Sequence, residues 1–357
     1  TILPITTSIK SLNASPFLAK PGDIIQLTIN THEQVQLPEV TFKAGGTTIG
    51  VVQAIDISGG VNKDLFLASY RIKSTTPSGL IGVSISITDL VKDKPNNLEF
   101  DTITTGSVLV YSEIPHLTMI ESIDPYISET NPSFRFTTSV AGLICYNGGH
   151  YGDLIYAVEG ENTITFDHLH DGEYSNLSID VSDAAGNKSE ILEIPHFTVD
   201  TSNPVIEHVS FTTSPADKTH IKDGDSITAK IKYDDNLSHL DQAECMLTFK
   251  LNDHDHSHVV SGDNLTFYDE DGHKYFEGTW HIDTDESYHN AEIELDIVIE
   301  DAAGNEHDKL DVESNIILDT VPIIFDYDKI HIDMHHNTNK PVFTIETNKD
   351  NIVVNTN

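Results

Sequence analysis

The stretch "SNLSIDVSDAAGNKSEILEIPHFTVDTSNP", Ser175–Pro204, decides the fold. Its "LSIDVS" alternates apolar and polar residues, the period of a strand with one buried face. "DAAGN", Asp183–Asn187, reads as a turn. Asp there accepts hydrogen bonds from backbone N–H groups two residues on, Gly supplies positive φ, and Asn tolerates the left-handed region. An apolar run ending in "VDTSNP" follows. The same turn recurs at Asp301–Asn305, 118 positions later (301 minus 183), and an apolar run ending in "LDTVP" follows it as well.

The same alternation runs through "DIIQLTIN", "LIGVSISITD", "SFRFTTS", "NTITFDHL", "SITAKIKYDD", "AEIELDIVIED" and "FTIETN", with Gly, Pro, Asn or Asp between the segments. Sustained helical spacing is absent. Many short strands separated by turn signals predict antiparallel β-sandwiches of the Greek-key kind.

Internal repeats set the module count. "PGDIIQLTI" from Pro21 resembles "DGDSITAKI" from Asp223, and "NPSFRFTT" from Asn131 resembles "KPVFTIET" from Lys340. First and third modules are therefore expected to be alike, as are second and fourth. Pro115, Pro204 and Pro322 mark extended junctions, which gives modules at 1–115, 116–203 and 204–321. The stretch 322–357 is too short for a sandwich and is expected to be a partial module, its opening strands only. Its missing strands would come from further sequence or another subunit.

The second module, with "DGEY", "DAAGN" and "VDTSNP", resembles the Ig-like repeats of large bacterial and archaeal cell-surface proteins, of adhesin and surface-layer type. The third module repeats the last two signatures. The first resembles the family in "AKPGDIIQLTI", "VTFKAGG" and "VSISITDL", but reads "TDLVKDKPNN" where the others have the Gly-Asn turn. The resemblance implies an all-β chain of tandem Ig-like sandwiches in an extended rod, extracellular and at the cell surface.

Lys plus Arg number 20 against 57 Asp plus Glu, a formal net charge of −37. Nucleic acid and anionic membranes need clustered Lys and Arg, so both are poor partners, whereas divalent cations are attracted. The acids are interleaved with Val, Ile, Phe and Tyr rather than collected in tails, which marks a folded chain. No apolar run is long enough to span a bilayer. Opening at Thr1 without Met fits a processed form or an excised segment. Cys145 and Cys245 sit in apolar stretches, where free Cys is expected to be a small core hydrophobe, and in different modules, so a disulfide framework is not expected.

Hard cations such as calcium take six to eight oxygens from carboxylates, amides and backbone carbonyls. In an Ig-like sandwich the last hairpin turn points toward the module's N-terminal end, and the following strand runs about 33 Å to the opposite end. Asp183 and Asp200 therefore should not meet. Asp200 is instead expected to approach the turn carrying Asp301 and Asn305, and the loop after "SITAKIKY" with Asp234 and Asp235. Their mutual repulsion invites Ca2+ as a bound cofactor. The matching loop of module two, "SVAG", has no acid, so calcium should bind weakly or not at all at the first junction.

Other features weigh less. "YDEDGHKYFEG" contains Asp269, Glu270 and Asp271 before Gly272, part of an EF-hand pattern that reads more simply as a hairpin turn. His254, His256 and His258 lie on one face of an extended segment, and His331, His335 and His336 form a second group. Both could bind a transition metal, although a solvated loop is the simpler reading of the first. Sequons at Asn13, Asn176, Asn187, Asn236 and Asn264 allow glycosylation. G-x-S-x-G, H-E-x-x-H, P-loop and G-x-G-x-x-G motifs are absent, and Cys145 near His150 lacks an orienting third residue. The expected function is non-enzymatic: a structural segment of an extracellular surface-layer or fibre-like array, stiffened by calcium at module junctions. The alternative is the stalk or ligand-binding region of a large adhesin. Partners would be other copies of the chain, further modules of it, or a cell-surface or glycan ligand.

Overall fold

The computed structural model describes residues 5–357 except 61–62, 91–94, 149–154, 236, 253–255, 284–285, 323, 325–330, 335–340 and 345–357. The chain divides into two units, Thr1–Val199 and Asp200–Asn357. The first holds two separate apolar cores, from Ile9 to Val110 and from Ile123 to Val199, and the second holds one, from Ile206 to Leu318. Each core is closed by facing sheets, so the protein is all-β and built of tandem β-sandwiches. Among the described residues the one helical element is a single 3-10 turn, Gly262–Asn264.

Around the first core, one sheet orders Thr6–Ser11, Ile24–Asn30, Leu65–Arg71 and Ile55–Asp56. The facing sheet orders Leu18–Ala19, Leu109–Val110, Gly79–Thr88, Glu39–Ala44 and Thr47–Gln53, with Asn97–Phe100 beside Gly79–Thr88. The third core repeats this order. Val205–Ser214, Ser226–Asp234, His273–His281 and Thr266–Glu270 face His220–Ile221, Glu306–Leu318, Ala291–Glu300, Met246–Leu251 and Ser257–Ser261. Period-two patterning sets which side chains go inward: Ile25, Leu27 and Ile29 in one module, Ile227, Ala229 and Ile231 in the other.

The second core uses the same plan with broken strands. Leu117–Glu121, Ser133–Thr138 and Gly160–Thr165 form one sheet. Opposite it, Gly172–Tyr174 and Phe197–Val199 pair at one end, while Leu177–Ser182 and Leu192–Ile194 pair at the other. Asn176 lies at φ 59 between Gly172–Tyr174 and Leu177–Ser182, and Pro195, which has no N–H to donate, stands between Leu192–Ile194 and Phe197–Val199. Beyond these cores, His331–Met334 pairs antiparallel with Pro341–Thr344. Most of the expected partial module at 322–357 lies outside the described residues, as do His254, His335 and His336.

Three local expectations have definite outcomes. Asp271 (φ 51) and Gly272 (φ 75) form a two-residue hairpin turn that sets Glu270 opposite His273. Cys245 is buried, but Cys145 is only half-buried: Ile144 faces the core, so alternation turns its neighbour outward. His256 and His258 are half-buried rather than solvated. The His258 ring stacks on Trp280 at 5.4 Å and 12°, and His256 lies 6.0 Å from Trp280 and 5.7 Å from Tyr288.

Burial pushes the His258 pKa below the ordinary 6.5, and His256 and His281 add to the shift. A depressed folded-state pKa means that the neutral ring's contribution is present above the unfolded value and lost as pH falls through the folded one. Chemical unfolding followed by the emission of Trp280, the chain's one tryptophan, should thus show stability falling between about pH 7 and 5. His258→Leu should flatten that dependence.

Candidate metal centre

The two "DAAGN" turns are built identically. In the first, Asp183 Oδ1 accepts the N–H groups of Ala185 (2.9 Å) and Asn187 (2.8 Å), while Oδ2 accepts the Asn187 side-chain amide (2.7 Å). In the second, Asp301 Oδ1 accepts from Ala303 and Asn305 at 2.9 Å each, and Oδ2 accepts from Asn305 Nδ2 at 2.8 Å. Gly186 (φ 82) and Gly304 (φ 84) supply the positive φ. The Asn residues stand at ordinary φ and serve through their amides instead. Asn187 Nδ2 also donates to the Tyr111 carbonyl (2.9 Å), and Asn305 Nδ2 to the Asp200 carbonyl (2.8 Å). Each clasp thereby grips the residue that follows the last strand of the preceding core. Module one has a third clasp without the adjacent Gly: Asn96 donates its N–H to Asp89 Oδ1 (3.3 Å) and its amide to Oδ2 (3.1 Å). Asp89 and Asn96 of "TDLVKDKPNN" make the same mutual pair across a longer loop.

What surrounds the second clasp differs. Carboxylate oxygens of Asp200, Asp235 and Asp301 lie within 4.8 Å of one another. All three residues are buried, at 1%, 7% and 1% exposure. Asp200 Oδ1 accepts from the Ser202 N–H (3.1 Å), and Oδ2 from the N–H (3.0 Å) and hydroxyl (2.7 Å) of Ser238. Asp235 Oδ2 is buried and has no hydrogen-bond partner. The Lys274 ammonium lies near but donates to the Asp235 backbone carbonyl, at 3.0 Å. Burial first, then the carboxylates of Asp301 and Asp200, push the Asp235 pKa up to about 6.

Of the five residues expected from sequence, then, three come together as acids. Asp234 ends its strand exposed, opposite Val205, because alternation sends it away from Asp235. Asn305 spends its amide hydrogens on Asp301 and Asp200, which makes it a positioning residue for the cluster. Sequence reasoning passed over Ser238, which fixes Asp200; its place three residues after the acidic pair was the available signal. The donor set fits a hard cation: a carboxylate oxygen without a donor faces two more carboxylates, each with lone pairs to spare. The turn at Asp183 has no such company, since Tyr111 stands in the place of Asp200.

Two sequons are closed by these contacts. Asn187 Nδ2 is engaged as described, and Asn13 Nδ2 donates to Asp23 Oδ2 (2.6 Å) and the Ala185 carbonyl (3.0 Å). Asn176 and Asn264 are exposed, and Asn236 lies outside the described residues.

Fold and site together define a multi-domain β-sandwich protein. No protein-family model matches the sequence, and no curated protein does. Among solved structures the chain is similar to an ICAM-5 D1–D4 ectodomain fragment, with a TM-score of 0.31 and 11% identity over 90% of this chain and 80% of that one. It is also similar to the titin I9–I11 tandem, at 0.24 and 13% over 85% and 95%, and to the D00–D0 domain of intimin, at 0.25 and 16% over 56% and 99%. With likeness this distant, the chain's own strand order carries the fold assignment. No helix among the described residues is long and apolar enough to cross a membrane.

Two outcomes follow from the clasp and its acids. Asn305→Ala leaves Asp301 Oδ2 and the Asp200 carbonyl short of a donor, and should lower unfolding free energy by about 1–3 kcal/mol in denaturant titration. In chelator, the raised pKa of Asp235 means its contribution is present at low pH and lost as pH rises through about 6. Asp235→Asn should therefore unfold later than the parent at pH above that value, with the difference closing toward acid.

Proposed function

We propose that this chain is a structural segment of an extracellular, cell-surface assembly of surface-layer or fibre type, without catalytic activity. In this reading its second unit binds calcium through Asp200, Asp235 and Asp301. The observation that carries the cation reading is the Asp235 carboxylate oxygen, buried without a donor between two other buried carboxylates. An anion left this way costs several kcal/mol unless it is protonated or meets a cation. Calcium would tie Asp200, the residue directly after Val199, to the Asp235 loop and the Asp301 turn, and so stiffen the chain at that point. The modules themselves support a spacer role, since each repeats one architecture. Partners would be further modules of the chain or other copies of it. Half-exposed apolar pairs on sheet faces, such as Leu80 opposite Leu109 in module one and Leu143 opposite Tyr156 in module two, offer lateral contacts. The same pairs support the second reading, the stalk or ligand-binding region of an adhesin.

Calorimetric titration of calcium into the parent, Asp235→Asn and Asp183→Ala tests the site. The parent and Asp183→Ala should bind one ion alike, and Asp235→Asn should lose at least tenfold in affinity. Equal binding by all three, or none by the parent, overturns the calcium reading.

A further inference from the structure

The two "DAAGN" clasps have the same internal hydrogen bonds but opposite electrostatic surroundings. Around the Asp301 clasp stand two further buried carboxylates. Around the Asp183 clasp the visitors are donors: Lys20 Nζ donates to the Gly186 carbonyl at 2.5 Å, and Asn13 Nδ2 to the neighbouring Ala185 carbonyl at 3.0 Å. Lys20 and Asn13 are both half-buried, and both are oriented by one residue. Asp23 Oδ2 accepts the Lys20 backbone N–H at 2.9 Å and the Asn13 amide at 2.6 Å. The Lys20 ammonium sits so close that a Cβ on Gly186 would meet it at 3.4 Å, in addition to the strain of φ 82 there.

The repeat shows which residues differ between the two clasps. Ala19, Ile127 and Ile221 occupy equivalent places, each in a short strand parallel to the last strand of its module: Ala19 opposite Val110, Ile127 opposite Val199, Ile221 opposite Leu318. The residue after each is Lys20, Ser128 and Lys222. Tyr111, Asp200 and Asp319 are equivalent in the same way, each directly following the last strand. Where the chain has Lys20 it has Tyr111 rather than an acid. Where the position after the short strand is Ser128, without charge, the residue after the last strand is Asp200.

We propose that Lys20, supported by Asn13, is a built-in cation for the Asp183 clasp. That clasp closes without metal, and of the two only the Asp301 clasp responds to calcium. The chain thus carries one permanent fastening and one that is set by the surrounding cation. The second half of this statement rests on the calcium reading given above. The first half rests on the Lys20 and Asn13 contacts alone.

Hydrogen exchange on the full chain, with calcium or with chelator, reads both clasps at once through the amides of Ala185 and Asn187 and of Ala303 and Asn305. In the parent, chelator should leave the 183–187 amides unchanged and speed exchange at 303–305 at least tenfold. Lys20→Met keeps most of the aliphatic stem and should speed exchange at 185–187 about tenfold in either buffer, while Lys20→Arg should restore protection. Unchanged exchange at 185–187 in Lys20→Met overturns the proposal, as does equal loosening of both clasps of the parent by chelator. If chelator leaves 303–305 unmoved while Lys20→Met still loosens 185–187, the calcium reading fails and the Lys20 fastening stands.

Discussion

The bond on which the rest of the arrangement depends is the pair of hydrogen bonds that one Asn amide makes in opposite directions. Asn187 and Asn305 each donate backward to the Asp that opens their turn and outward to the carbonyl that follows a preceding core. A turn stabilised only by its own Asp would be a local matter, worth about a kilocalorie per bond. Coupling it to an incoming backbone makes the same residue a structural bridge. A buried carbonyl without that donor would itself be a liability, so the coupling is satisfied on both sides.

Charge then decides what each bridge can become. With 57 acids against 20 bases, the protein has few ammonium groups to place, and their placement is informative. Asp225 shows the ordinary solution for a buried acid. Burial pushes its pKa up, but the Lys218 ammonium at 2.9 Å and the neighbouring Lys222 hold it below the usual range. Asp235 is buried too and has a lysine nearby, yet that lysine is turned to the backbone carbonyl and the carboxylate oxygen is left without a donor. The contrast lies in where the ammonium goes, and it separates a closed ion pair from a seat for a foreign cation.

Much of this was legible in the sequence, for identifiable reasons. Period-two alternation named the inward residues of the long strands, because a sheet with one buried face permits no other register. The chain direction that the Ig-like resemblance implies for a sandwich was enough to expect Asp200, Asp235 and Asp301 at one end. Asp234 was carried along with Asp235 because adjacency in sequence hides the pleat that turns the two apart. The clasp of module one was obscured because the signature joined Gly to Asn, whereas the physical requirement is an Asp and an Asn at the two ends of the loop, as Asp89 and Asn96 are. The stacking of His256 and His258 against Trp280 could not be read from spacing, since it joins segments from different strands. Lys20 escaped for the same reason: its partner lies 166 residues away.

The short parallel pairings have a consequence in mechanics. In each of the three cores the second strand and the last strand lie side by side and point the same way: Leu18 beside Leu109, Tyr126 beside Thr198, His220 beside Ile317. Chain enters a module through its first strand, passes from there into one of these strands, and leaves just after the other. Tension carried along the polypeptide consequently reaches this pair lengthwise, loading bonds such as Leu109 N–H to the Phe17 carbonyl and Tyr111 N–H to the Ala19 carbonyl together. Strands of opposite direction joined at one end would peel apart one bond at a time. Here the bonds must yield as a group, which places a resistance to pulling along the seam of these two strands.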